Sequence, residues 1–190
     1  MKSIATPAGG QYTFAYEPTP NGNGFTNTNP PTYFTGRIAK ITYPSGGSIS
    51  YAYSGGNNGV VCGSGIVPTL TVTVNDNNGS VKTWTYVNNT GGGGPPNNFT
   101  VVKTDPAGNQ TIYHFSGEYQ TEAIYYQGTT TVLKTVLTCY NGNTSSCAAP
   151  AAPISSLISQ TDVRTTLGTS AAKRVTTTFD TNGNPLVASA

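Results

Sequence analysis

Apolar and polar residues alternate along most of this chain, and the period is two. QYTFAY (11–16), RIAKIT (37–42), SISYAY (48–53), TLTVTV (69–74), VKTWTY (81–86), FTVVKT (99–104), TIYHF (111–115) and KRVTTTF (173–179) are short runs rich in β-branched and aromatic residues. A period of two puts alternate side chains on opposite faces of a pleated strand. Such runs, bounded by Gly, Pro, Asn and Asp, read as strands. EAIYYQGTTTVLKTVLTCY (122–140) predicts two more, on either side of Gly128. ISSLISQ (154–160) is the one stretch that would allow a single helical turn. The fold expected is all-β: consecutive antiparallel hairpins in a twisted, repeat-built sheet.

The punctuation between runs repeats. With Gly108 as origin, TDPAGNQTIYHF has Pro106 two residues earlier, Tyr113 five residues on and Phe115 seven on. Gly9 is followed at the same spacings by Phe14 and Tyr16, Gly46 by Tyr51 and Tyr53, and Gly79 by Trp84 and Tyr86. Aromatic residues make up 10% of the chain, so eight coincidences do not arise by chance. A fifth copy, FDTNGNPL around Gly183, stops before its ring positions, which fall on Ala188 and Ala190. The physical unit is a hairpin. The Gly takes positive φ without steric cost, Pro presets the turn, and Asp76, Asp105 and Asp180 occupy the slot from which a carboxylate bonds the backbone ahead. Rings five and seven residues on share one face of the outgoing strand. Origins at 9, 46, 79, 108 and 183 leave a long last interval, so a divergent insert is expected at about 116–172. Intervals of this size mark stacked repeats that cannot bury a face alone. NGNGFTNTNPP, YSGGNNG, NNTGGGGPPNN and NTSSCAAPAAP are expected as exposed loops.

In these residues the chain resembles the YD (tyrosine-aspartate) repeat of Rhs-type proteins. GRIAKITYPSGGSISYAY (36–53) and TVVKTDPAGNQTIYHF (100–115) carry the pattern, and RVTTTFDTNGNPL (174–186) places Phe179-Asp180 where the family has Tyr-Asp. The resemblance covers most of the chain except roughly 140–160, and makes 1–190 one repeat region. It implies a ribbon of antiparallel strands that forms part of a hollow shell, in a large exported bacterial surface or toxin protein. The chain carries no export signal, no self-cleaving core region and no effector segment, so a non-catalytic piece of shell wall is expected rather than an enzyme. Flanking repeats of the same parent, or a second copy meeting it at the sheet edges, are the partners expected.

Composition narrows the alternatives. Charged residues are only 8% of 190, with 9 Lys+Arg against 7 Asp+Glu, too few for a patch that grips a phosphate backbone, so nucleic acid is excluded as a partner. Twelve Tyr and six Phe separate the chain from disordered sequences. No run of apolar residues is long enough to span a membrane as a helix, and MKSIATPAGGQY is not a signal peptide. An extracellular or cell-surface location follows from export of the parent.

Candidate chemistry is sparse. His114, the sole histidine, falls between the two rings of its repeat, where other copies have Ala15, Ala52 and Thr85, and reads as a spare strand position. Glu118 and Glu122 are the one carboxylate pair outside the repeat. Cys139 and Cys147 flank a turn-rich loop; a disulfide is expected there, with two free thiols as the alternative, and with it an oxidising compartment. Cys62 packs as a small apolar residue. No zinc spacing is present, and GGGGPP (91–96) lacks the Lys and helix of a phosphate loop, so no metal or cofactor is expected. The paired rings form a stripe in a packed layer, or, in a second reading, stack on glycans of another cell.

Overall fold

A computed structural model describes residues 2–18, 34–55, 68–89 and 98–189. Most of the first three predicted loops, Cys62 and GGGGPP lie outside the described residues. The described residues contain thirteen strands and no helix. In chain order these are β1 (Ser3–Ala5), β2 (Gln11–Pro18), β3 (Phe34–Thr42), β4 (Ser48–Ser54), β5 (Thr69–Asn75), β6 (Val81–Asn89), β7 (Asn98–Thr104), β8 (Gln110–Ser116), β9 (Tyr119–Gln127), β10 (Thr131–Tyr140), β11 (Gln160–Leu167), β12 (Lys173–Phe179) and β13 (Pro185–Ser189). They hydrogen-bond in sequence order as one antiparallel sheet, each strand beside its chain neighbours. The all-β reading and the consecutive hairpins are therefore correct. Contacts divide the chain into two compact units, Met1–Val61 with Pro68–Thr85, and Cys62–Val67 with Tyr86–Ala190.

In the first unit the register sorts the side chains by face. Phe14 pairs with Ile41, Ile41 with Ile49 and Ile49 with Val74, while Tyr51 and Tyr53 pair with Val72 and Leu70. The opposite face pairs Lys40 with Ser50, Ser50 with Thr73, and Ala52 with Thr71. One face is aromatic and aliphatic, the other hydroxylic, as strict alternation requires. Register shifts between Ala15 and Tyr16 and between Tyr16 and Pro18 mark bulges opposite β3, where Gly36 sits at φ +87°.

In the second unit β7 and β8 pair without a break, Phe99 opposite Phe115 and Val101 opposite Tyr113. The predicted pair of strands around Gly128 is β9 and β10. After β10 the chain leaves the sheet and returns across its end before entering β11. This segment, 141–159, includes NTSSCAAPAAP and is exposed over most of its length, as expected, but Cys147 and Pro150 in it are buried, and Thr121 and Ser116 beneath are fully so. It also holds ISSLISQ, which makes no helical turn. The Asn141 side chain claims the backbone there instead, bonding Leu157 O at 3.3 Å and Ser159 N at 2.8 Å. With Pro150, the apolar side chains that are buried among the described residues are Ala123, Cys139 and Cys147, all in this unit.

Candidate functional site

The turns recur in the greatest detail. In four of them the Gly N–H donates to the carbonyl three residues back: Gly9 to Thr6, Gly46 to Tyr43, Gly108 to Asp105 and Gly183 to Asp180. The residue at that carbonyl also pairs with the one after the Gly, closing a type I turn with a left-handed Gly bulge. Glycine is needed at Gly108, where φ is +82°. Asp105 Oδ1 accepts from the N–H groups of Ala107 and Asn109, both at 2.9 Å, and Asn109 Nδ2 donates to Oδ2 at 3.0 Å. Asp180 repeats the arrangement with Asn182 and Asn184. The Asn109 carboxamide, followed by the backbone donors, holds the Asp105 carboxyl below its ordinary range, and Asn184 does the same for Asp180. These carboxylates are consumed by the turn and are not poised as acids or bases.

The Gly79 turn departs from this geometry. Asn77 replaces the Pro or Thr of other copies and lies at φ +66°, Asp76 N meets Ser80 O at a long 3.3 Å, and Gly79 N–H makes no bond to Asp76 O. A type I turn needs negative φ after its first residue, and with Asn77 at positive φ the turn opens. Asn77 Nδ2 instead reaches Ser45 O of the neighbouring turn at 3.1 Å.

All eight repeat rings, Phe14, Tyr16, Tyr51, Tyr53, Trp84, Tyr86, Tyr113 and Phe115, are half-buried. Three of them have contacts within the same sheet. Phe115 stacks on Phe99 at 4.8 Å with 7° between planes. Lys103 Nζ lies 5.9 Å from the Tyr86 ring centre, and the Arg37 guanidinium stands 4.0 Å over Tyr53.

His114 faces Glu122 across the β8–β9 pair, Nε2 to Oε2 3.7 Å. That leaves Glu122 facing an imidazole rather than Glu118, which is exposed at the preceding turn. Thr121 Oγ1 lies 3.2 Å from the His114 backbone carbonyl, but no hydroxyl or thiol bonds the His114 imidazole among the described residues, and no three His, Cys, Asp or Glu side chains gather there as metal ligands. Phe99, Thr100, His114, Phe115, Ala148 and Ala149 line part of a shallow depression of about 280 Å³. A second, of about 540 Å³, lies by Asp105, Asn109, Tyr125 and Tyr126. Neither gathers a nucleophile, a base and an oxyanion donor.

Cys139, at the end of β10, is disulfide-bonded to Cys147. The bond lies under the returning segment, which Thr121 Oγ1 holds by donating to Ala148 O at 2.8 Å and Asn98 Nδ2 by donating to Pro150 O at 2.9 Å. Ser116 Oγ is buried here with no hydrogen-bond partner.

Two ionic clusters escape a repeat-based reading. Glu17, buried on β2, accepts from Thr35 Oγ1 at 2.8 Å and Arg37 Nε at 2.7 Å. Asp162, 5% exposed, takes both nitrogens of a fork from Arg174, Nε at 2.9 Å and Nη2 at 2.6 Å, and Arg164 Nη2 at 2.9 Å. Arg164 and Arg174 are direct cross-strand partners, an unfavourable pairing of like charges that Asp162 neutralises. The Arg174 hydrogen bond is the main cause of the Asp162 carboxyl lying below its ordinary range. The Asp-x-Arg alternation in TDVRT, facing an Arg two strand positions off register, was the available signal. No helix among the described residues is long and apolar enough to cross a membrane.

Neither protein families, curated proteins nor solved structures give a match to this chain.

Proposed function

We propose that this chain is a non-catalytic structural segment of a large exported bacterial protein of the Rhs/YD-repeat type, a length of its shell wall. The observation that carries the reading is the turn module, built four times with the same Gly-to-carbonyl bond and joining strands that pair in chain order. A wall assembled this way needs no pocket, and it shares its apolar faces with neighbours. The small number of buried apolar side chains fits that arrangement. The test is twofold. The reading frame around the chain should encode further copies of the turn and ring pair on both sides, and fusing them should raise the melting temperature and sharpen unfolding. Turnover of ester, peptide or glycoside substrates by the purified chain, or a frame without further copies, would overturn the proposal.

A second reading, a glycan-binding surface module, draws support from the half-exposure of the eight rings. Saturable quenching of Trp84 fluorescence by oligosaccharides would favour it; an unchanged spectrum removes it.

A further inference from the structure

The open turn of β5–β6 has a chemical consequence separate from the wall. Asn78 precedes Gly79 on an exposed stretch, 75–80. A backbone amide nitrogen following Asn can attack the carboxamide carbon, and a following Gly presents no side chain against the approach. Two conditions decide the rate in a folded chain: the attacking N–H must be free of a hydrogen bond, and the carboxamide must be free to turn.

Three Asn-Gly steps lie among the described residues, and they meet these conditions differently. At Asn182-Gly183 the attacking nitrogen is engaged, Gly183 N–H donating to Asp180 O at 3.1 Å. At Asn141-Gly142 the carboxamide is clamped, Nδ2 to Ser156 Oγ at 2.9 Å and Leu157 O at 3.3 Å, Oδ1 to Ser159 N at 2.8 Å and Ser159 Oγ at 3.3 Å. At Asn78-Gly79 neither restraint exists. Gly79 N–H lacks the bond to the carbonyl three residues back that the other four turns make, and the Asn78 carboxamide is held by no hydrogen bond among the described residues. What fixes Asn78 is its own N–H, donated to Asp76 Oδ1 at 2.8 Å, which leaves the side chain untouched. A Cβ built on Gly79 would meet nothing within 4 Å, so no other part of the chain crowds this side of the turn.

We propose that Asn78-Gly79 is a self-modification site, at which the chain deamidates through a cyclic imide. Gly79 N, losing its proton to hydroxide, forms a bond to Asn78 Cγ. The Cγ–Nδ2 bond breaks, and the departing nitrogen takes up a proton and leaves as ammonia. Water then opens the ring at one of its two carbonyl carbons. The product is Asp at 78 or its isomer, in which the main chain runs through the former side chain. Either product places a second carboxylate two residues from Asp76 and lowers the formal net charge of +2 by one. The isomer also lengthens the turn whose Asn77 bridges to Ser45.

The test is peptide mapping by mass spectrometry of the intact, folded wild type, incubated over weeks at mildly alkaline pH and read at each Asn-Gly step. Deamidation adds one mass unit, and isoaspartyl methyltransferase labelling identifies the isomer. Asn78 should convert first. Asn182 should lag by about tenfold, the factor expected for losing one hydrogen bond of ordinary net strength, and Asn141 by about a hundredfold or more, since turning its carboxamide breaks at least two of its four bonds. In denaturant the three rates should converge, because local sequence alone then sets them. Equal rates in the folded chain would overturn the proposal, as would an Asn78 that is strongly protected relative to the denatured chain. Because this readout needs no assembly, partner or turnover, its failure leaves the wall reading intact.

Discussion

Removing the Cys139–Cys147 bond tests what holds the returning segment on the sheet. The perturbation is the double change Cys139→Ser, Cys147→Ser. The bond spans a sequence separation of eight, and both cysteines are nearly out of solvent, 1% and 6% exposed. In the chain-entropy account a loop that short constrains the unfolded chain by about 2–3 kcal/mol. The loss should not be much larger, because the segment keeps other anchors: Thr121 on Ala148, Asn98 on Pro150, and Asn141 on 156–159. It should not be much smaller, because two hydroxyls then sit where an apolar sulfur pair was buried, with no partner built for them. Urea unfolding of the second unit, followed by circular dichroism, should show a midpoint lower by roughly 1–2 M at an ordinary slope. Wild type reduced by a thiol should shift to the same extent. Amide exchange of Thr121 and its neighbours should accelerate, since the segment covering them is loosened. A variant whose midpoint matches the oxidised wild type, with exchange at Thr121 unchanged, would refute the reasoning: the side-chain anchors alone would then hold the segment.

Other substitutions separate satisfied from unsatisfied groups and strain from clash. Ser116→Ala removes a buried hydroxyl without a partner and should be neutral or stabilising by up to about 1 kcal/mol, whereas Thr121→Val strands the Ala148 carbonyl and should cost about 1–2 kcal/mol; chemical denaturation compares the two. Gly108→Ala meets no atom and should cost only the left-handed backbone, about 1–2 kcal/mol, while Gly46→Ala should cost more, because its Cβ would lie 2.7 Å from Asn77 Nδ2 and break the bond to Ser45. Asp162 has a folded pKa below its unfolded value, so its contribution is full above the ordinary carboxylate range and is lost as pH falls through the folded value; melting temperature should drop as pH is lowered through and below the ordinary carboxylate range, and less steeply in Asp162→Asn.

Local signals made the hairpins legible, because each is written within a dozen residues: alternation fixes the strands, and Asp or Pro with Gly fixes the turn. Gly79 shows the limit of that reading. Its ring spacing matches the other copies, yet the residue after Asp76 is Asn77, which takes a positive φ that neither Pro nor Thr181 takes in the closed turns. The returning segment was illegible for the opposite reason. NTSSCAAPAAP has the composition of a solvated loop and is mostly exposed; what anchors it at Cys147, Ala148 and Pro150 is long-range: a disulfide to β10 and bonds from Thr121 and Asn98. The Asp162 cluster likewise depends on register between β11 and β12, which no single strand encodes. His114 read correctly as a strand residue; its Glu122 neighbour needed the β8–β9 pairing to be seen.

The long interval between Gly108 and Gly183 holds neither one extra hairpin nor two. Three strands, β9, β10 and β11, occupy it within the second unit. In an antiparallel sheet each strand reverses the chain, so an even number inserted between two turn modules leaves both at the same end, and an odd number moves the second to the other. The Asp105–Asn109 turn joins β7 to β8, and the Asp180–Asn184 turn joins β12 to β13, so within this unit they stand at opposite ends of the strands. The hydrogen bonds agree. Asn109 Oδ1 accepts from Gly128 N–H of the β9–β10 turn at 2.9 Å, while Phe179 N–H, at the entry to the last turn, donates to Ser159 O of the returning segment at 2.9 Å. One of these reversals, from β10 to β11, is made by a nineteen-residue path, 141–159, instead of a tight turn. The inversion follows from the three strands whatever connects them; what the segment adds is cover over the strand ends, where Cys147 is bonded back to Cys139 of β10.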